Sequence, residues 1–332
     1  VKNPLETLIH ARKWLIHGGL FVLTFFTTTV AGVAWLNLDP FELANFPAGL
    51  PYSFSILLVL GMHEFGHYFA TRYHRVDATL PFFIPFPAIP GFVNFGTLGA
   101  VIKTKSVVPN KKAMFDIGAA GPIAGFIGSL GLIIYGLATL PDIGYLYKIH
   151  PEYIGMTVLP TGSLTFGDTL LFNILIKIIP TPLKSFLPAM NEIYHYPSLC
   201  VGWFGLFVTA MNLLPIGQLD GGHISYTLFG KHHHLIARIT FGIILVIGVA
   251  GFLPVIGITF PIGWIGWIFW ALILRFVVKL DHPEVADPAP LNPARRYLGW
   301  MCFAILVLCF SPSPLLLLYI VTYTAQGTSF IN

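Results

Sequence analysis

Apolar positions in this chain gather into long runs, not into the alternating or one-faced patterns of a water-facing fold. A helix needs about 20 mainly apolar residues to cross a bilayer. Such runs lie at roughly 14–36, 50–73, 113–140, 198–224, 235–254, 261–279 and 297–320. Only Pro254 to Pro261 separates the fifth run from the sixth, so these two form a tight helical hairpin or one broken element. The pattern predicts six or seven spans. The first run is long and no small-residue cleavage site precedes Asn37, so it reads as a span and not as a signal peptide.

Two stretches fit no simple span. Residues 78–102 carry no charge, yet Pro81, Pro85, Pro87 and Pro90 forbid a continuous helix. From Val93 to Ile102 the residues read as strand with glycine breaks. Irregular backbone at membrane depth persists only where protein or a wet cavity satisfies it. A re-entrant loop or short β-hairpin is therefore expected between the second and third spans. Residues 141–197 hold one apolar piece, Leu170 to Ile179, too short to span, and read as an outer cap or a surface-lying helix. The fold class that follows is an all-α polytopic membrane protein. Residues 1–49 form its N-terminal segment and first span, 50–225 its membrane core, and 226–332 its C-terminal helices.

Composition agrees with that class. The 332 residues are 55% hydrophobic and only 10% charged, with a mean hydropathy of +0.78. Soluble domains run near 25% charged, so this chain could not cover a water-facing surface. That excludes an ordinary cytosolic enzyme, a disordered chain and a nucleic-acid binder, and makes the lipid bilayer the first expected partner. The net charge of +4 is small, so placement matters more than sum. With a cytoplasmic N-terminus, seven spans put 15 of the 18 basic residues on that side, leaving out Lys148, Lys177 and Lys184. Cys200, Cys302 and Cys309 lie in apolar runs and fit neither a disulfide framework nor a thiolate metal site.

The second run changes the picture. It contains His63-Glu64-Phe65-Gly66-His67, an H-E-x-x-H pattern on a predicted helix. Positions i and i+4 share a helical face, so both imidazoles can bind one Zn2+, one ion per chain. Glu64, beside the first of them, is placed to act as a general base. With 12 His and 6 Glu in the chain, chance predicts about 0.008 such matches. An acid at a helix centre in the bilayer costs about 2.5–3.5 kcal/mol on insertion scales, and a metal in a wet cavity is a reason to keep one there. The competing reading is a helix end at the interface, marked by Arg72, His74 and Arg75, where His and Glu meet water.

Two His leave a catalytic zinc one protein ligand short. The fourth run offers a candidate in Asn212-Leu213-Leu214-Pro215-Ile216-Gly217-Gln218-Leu219-Asp220-Gly221-Gly222-His223, where Asp220 is the only acid between Glu192 and Asp281. The second and fourth spans both end inward, so Glu64 and Asp220 fall at similar depth. Gly217, Gly221 and Gly222 let the backbone unwind or approach closely, and Pro215 breaks the helical ladder.

Together, His63-Glu64-Phe65-Gly66-His67 and Asn212-x-x-Pro215-x-x-x-Leu219-Asp220-Gly221 resemble the site-2 proteases, the intramembrane zinc metalloproteases of peptidase family M50. Phe95 to Ala100, Lys105-Ser106, Phe115-Asp116 and Ala120-Gly121-Pro122 resemble its plastid and cyanobacterial branch, related to the ethylene-dependent gravitropism-deficient and yellow-green proteins. The resemblance covers about 50–225. It implies that His63, His67 and Asp220 bind zinc, that Glu64 is the catalytic base, and that the substrate is a transmembrane segment of another protein. The membrane expected is that of a bacterial cell, with a plastid membrane as the alternative. The sequence shows neither the PDZ insertion nor the nucleotide-sensing domain pair of other branches, so their substrate rules do not transfer.

Further residues have competing readings. His223, three residues after Asp220, is a second-shell or interface residue before it is a ligand. Asn212 caps a broken helix, or holds the substrate backbone or an oxyanion. Gly96 and Gly99 belong to a glycine-rich strand whose edge could receive an unwound substrate. His232, His233 and His234 read as a solvated loop. Asp116 is expected to pair with Lys111, Lys112 or a freed amide, and Gly118, Gly121 and Gly125 to serve close helix packing. Other functional classes stay open at this point. A cation transporter would need polar groups across the whole bilayer, and here they cluster at one face. A catalytically inactive chaperone would have no need of Glu64. A protease of the prenyl-processing kind uses a later Glu, and Glu152, Glu192 and Glu284 all lie outside the predicted spans.

Overall fold

The computed structural model describes residues 4–87, 94–156, 159–160, 164–256, 258, 260, 262–285 and 289–317, with side chains from residue 12 onward except those of Val255 and Leu317. Its elements follow the apolar runs, with two instructive departures. Helix α1 spans Pro4–Ala34 and α2 spans Phe46–Tyr73. Strands β1 (Phe82–Pro85) and β2 (Thr97–Val101) follow, then α3 (Lys111–Ala138). Asn110 starts α3 by accepting the Ala113 N–H at 2.9 Å. The next segment holds α4 (Gly144–Ile149), β3 (Leu164–Phe166) and α5 (Leu170–Ile178). After it come α6 (Pro197–Leu213), α7 (Asp220–Phe229), α8 (His233–Ala250), α9 (Gly266–Ile273), which a π turn extends to Val278, α10 (Pro293–Cys309) and β4 (Leu315–Leu317).

Four stretches are long and apolar enough to cross a membrane among the described residues: Arg12–Ala34, Leu43–Tyr73, Lys111–Ala138 and Asp220–Ala250. Pro197–Leu213 and Gly266–Val278 are shorter apolar helices. The centre of the bundle is α3, which packs against α2 and α6, while α1 covers the other side of α2. Buried Phe115 and Ile133 of α3 and Trp203 and Leu206 of α6 fill this core. Trp203 satisfies its indole N–H on the Gly167 carbonyl at 2.8 Å, the pairing a buried indole usually finds.

Between α2 and α3 the chain forms an antiparallel hairpin, Phe82 opposite Val101 and Phe83 opposite Ala100, with the register shifting before Pro85 pairs with Thr97. The expected strand began at Val93, which lies outside the described residues. The hairpin is tied to the helices from both sides. Thr27 of α1 donates to the Gly96 carbonyl at 2.6 Å and Tyr52 of α2 to the Phe95 carbonyl at 3.2 Å. The Phe95 ring stacks on Phe204 of α6 at 4.2 Å.

The first departure is the fourth run, expected as one span over 198–224. It is two helices. Pro215 lacks the N–H that would continue α6, and Gly217 takes a left-handed conformation with φ 51° while its Cα faces the Lys279 carbonyl. Asp220 therefore opens α7 rather than closing α6, and the division expected after residue 225 falls inside α7. The second departure is the seventh run, expected to reach 320. Its helix stops at Cys309, and after Pro312 and Pro314 the chain pairs as β4, antiparallel to β3. The 141–197 segment thus caps one end of the bundle with a strand partner from the far end of the chain.

Candidate metal centre

The i, i+4 spacing on α2 puts the His63 and His67 rings side by side, with their Nε2 atoms 3.1 Å apart. The turn at Leu214–Leu219 brings the start of α7 against them. Asp220 Oδ2 lies 3.5 Å from His63 Nε2 and 3.4 Å from His67 Nε2. One donor atom from each of the three residues falls within 4.8 Å of the others. All three sit at the helix-packed interior, with both imidazoles buried. The carboxylate also sits at a helix N-terminus, where the dipole favours negative charge.

The neighbouring helix fixes the rings. His67 Nδ1 is 2.8 Å from the Ile117 carbonyl of α3. A carbonyl only accepts, so this nitrogen carries the proton, and in the neutral ring Nε2 presents its lone pair toward Asp220. A ring N–H held by a backbone carbonyl is the usual support of a metal-binding His. The glycines of α3 make the fit. A methyl group at Gly121 would collide with the His67 ring, and one at Gly125 would stand 3.2 Å from His63 Cβ and Nδ1. At Gly118 it would meet His223 Cβ at 2.8 Å. These glycines do serve close packing, as their spacing suggests, and what they admit is the site itself.

Glu64 is buried at the wall of a cavity of about 440 Å3. His63, Thr97, Gly99, Phe204 and Asn212 line the same space. Asn212 and Gly99 are thus brought to the pair on α2. Gly96 is not among the lining residues, because its carbonyl is held by Thr27 and its backbone rests on α1. His223 does not join the donor cluster, and its Nδ1 lies 2.6 Å from His282 Nε2.

Asp116 departs from expectation. Its partners are not Lys111 or Lys112. Arg295 of α10 donates Nε to Oδ1 at 2.8 Å and Nη2 to Oδ2 at 2.7 Å, and His74 Nε2 is 2.7 Å from Oδ2. His232 to His234 also divide. His234 meets Asp281 at 2.9 Å on the surface, while His233 is fully buried.

A helical bundle with long apolar spans, a buried His–His–Asp cluster and a carboxylate on the adjoining cavity wall define the class: a membrane protein built around a candidate metal centre. Residues 51–255 match Peptidase family M50, and the chain belongs to that family. It is 34% identical to the probable zinc metalloprotease EGY1, chloroplastic, of Oryza sativa subsp. japonica over 186 residues, which is 55% of this chain and 29% of that protein. Identity to the Arabidopsis thaliana protein of the same name is 32% over 198 residues, 59% of this chain and 32% of the relative. The probable zinc metalloprotease EGY2, chloroplastic, of Arabidopsis thaliana is 30% identical over 225 residues, 66% of this chain and 36% of its own length. The chain spans about a third of the length of these curated relatives.

Proposed function

We propose that this chain is a zinc-dependent intramembrane protease, hydrolysing a peptide bond within or beside a transmembrane segment of a membrane-protein substrate. The observation that carries the reading is the convergence of His63, His67 and Asp220 beside the cavity that Glu64 lines. Two imidazoles and one carboxylate are a donor set that suits catalytic zinc with a position left open, and the Ile117 carbonyl already holds His67 in the tautomer such a site requires. Zinc bound there would polarise the scissile carbonyl and acidify water. Glu64 would take the proton from the attacking water and return it to the leaving nitrogen. Asn212, across the same cavity, would hold the substrate backbone or the developing oxyanion.

A helical peptide bond is shielded, so the substrate must unwind before it is cut. The sheet order leaves one edge of β2 without a strand among the described residues, and β2 lines the cavity. An unwound segment adding to that edge would pass beside Glu64.

In this reading α1, α2 and α3 are the first three spans, and α6 with α7 make a broken fourth. Helices α8, α9 and α10 complete seven, or six if α8 and α9 form one element. The N-terminus faces the cytoplasm or its plastid equivalent, in a plastid or bacterial membrane. The relatives' names favour the plastid type.

The test is zinc content and cleavage of a helix-destabilised transmembrane substrate by the detergent-purified protein. Glu64→Gln should keep the metal and lose about 100-fold or more in rate, while Asp220→Asn should lose the metal. If Glu64→Gln cleaves as well as the parent, the protease reading fails.

A further inference from the structure

A second convergence of donors lies at the opposite end of the bundle, where the cap segment meets the end of α1. It involves His150, Glu192 and His195, whose donor atoms lie within 4.8 Å of one another. Gly121 and Gly125 contact the first cluster at the middle of α3, and the cap follows its last residue, roughly 20–25 Å further along the helix.

With both imidazoles neutral, the proton inventory of this cluster does not close. His195 Nδ1 is 2.6 Å from the Trp35 carbonyl, so that nitrogen carries the proton. His150 Nδ1 is 2.7 Å from Glu152 Oε1 and is a donor for the same reason. The two Nε2 lone pairs then face each other across 3.0 Å. Glu192 Oε2 is 3.5 Å from His195 Nε2 and 3.8 Å from His150 Nε2. Glu192 is 1% exposed, and this oxygen has no hydrogen-bond donor among the described residues. Its other oxygen is already served, by Tyr153 Oη at 3.1 Å and Asn191 Nδ2 at 2.9 Å. Among the described residues a further polar group in reach is the Asn37 side-chain amide, 3.2 Å from His150 Nε2. Turned over, that amide would present an oxygen instead.

Three electron-rich atoms thus point at one place, with too few protons between them. Burying a carboxylate oxygen without a partner is costly, and a cation removes the cost. The supporting bonds, one ring N–H to a backbone carbonyl and the other to a carboxylate, are those that orient metal-binding His. The Nε2 separation matches that of His63 and His67, 3.0 against 3.1 Å.

We propose that His150, Glu192 and His195 form a second site for a divalent transition-metal ion of the zinc class, which clamps the 141–197 cap onto the end of α1. Two imidazoles and a carboxylate select such an ion over Ca2+ or Mg2+, with Asn37 or water completing the shell. The site uses none of the residues assigned to proteolysis, so it stands or falls separately from the proposed function.

The experiment is zinc titration of the full-length chain in detergent, with bound metal counted by elemental mass spectrometry. The parent protein should hold two zinc ions and the His63→Ala/His67→Ala variant one. In that background His150→Asn, at the rim, and Glu192→Gln should each raise the zinc Kd at least about tenfold. Glu192→Gln also supplies the missing N–H, so its melting temperature without metal should equal or exceed that of its background while the zinc-induced rise disappears. That separates lost metal binding from lost folding. If the background binds no zinc, or binds it equally well with His150→Asn and Glu192→Gln, the cluster is a proton-sharing pair and the proposal is overturned. If the parent and the background each hold one zinc, and His150→Asn and Glu192→Gln weaken its binding, the first site has failed and the second stands.

Discussion

Asp116 and Arg295 stand 179 positions apart in the chain and form a two-point ion pair, 2.7 and 2.8 Å long, that fastens α10 to the start of α3. Both side chains are at most a quarter exposed, at 22% and 25%, so the pair is screened less than a surface bridge. A double-mutant cycle with Asp116→Asn and Arg295→Met should give a coupling of roughly 1–2 kcal/mol in detergent unfolding. Arg295→Lys should recover less than half, because one ammonium cannot match two oxygens. Additive single effects would mean that the pair contributes nothing to stability.

Gly121→Ala should be the most damaging small substitution in α3. The added methyl collides with the His67 ring, and a ligand displaced by about 1 Å costs on the order of 100-fold in rate. Gly131→Ala on the same helix meets nothing within 4 Å and should be silent or slightly stabilising. Zinc content and cleavage rate of the two variants check this, and equal losses would show that ring clearance at Gly121 is not the cause.

Asn212→Ala should lower kcat about 100-fold with little change in KM if the amide holds the oxyanion. A raised KM with kcat intact would assign it to ground-state binding of the substrate backbone instead. Metal content should not change in either case, since Asn212 lines the cavity without joining the donor cluster.

Strand addition at β2 makes a prediction about the substrate. Segments N-methylated at alternate amides beside the scissile bond should be cut at least about tenfold more slowly, because main-chain hydrogen bonds carry this mode of recognition. Methylation one residue out of phase falls on the substrate strand's other edge, away from β2, and should cost far less. Equal effects in both phases would remove β2 as the docking edge.

How far the sequence reached depended on whether the information was local. The four long apolar helices were legible because each apolar run carries its own signal. So was the pair on α2, where i, i+4 geometry needs nothing from elsewhere. Asp220 was legible as a lone acid in an apolar stretch, but its place at the start of a helix was not, because a hydropathy run does not register that Pro215 and Gly217 divide it. The prolines at 312 and 314 likewise stand inside an apolar run that ends as a strand. The glycines of α3 announced close packing without naming the partner, since only the folded bundle shows that the partner is an imidazole. Arg295 was hidden for the same reason. Its charge counted toward membrane orientation, and nothing local tied it to Asp116. Of the cap, only its peripheral place was readable, because His150 and His195 lie 45 positions apart and meet only after the chain folds back on α1.

The break before Asp220 gives the candidate centre two mechanically different halves. Both imidazoles ride on one unbroken helix, and His67 leans on a carbonyl of its neighbour, so they form an anvil. The carboxylate rides at the tip of a separate lever that pivots on the turn between α6 and α7. A small swing of that lever would change how many of the three donors reach the ion while leaving the anvil undisturbed. Whatever presses on α7 from its far side, including the α10 helix held there by Arg295, therefore has a mechanical route to the chemistry without touching the cavity.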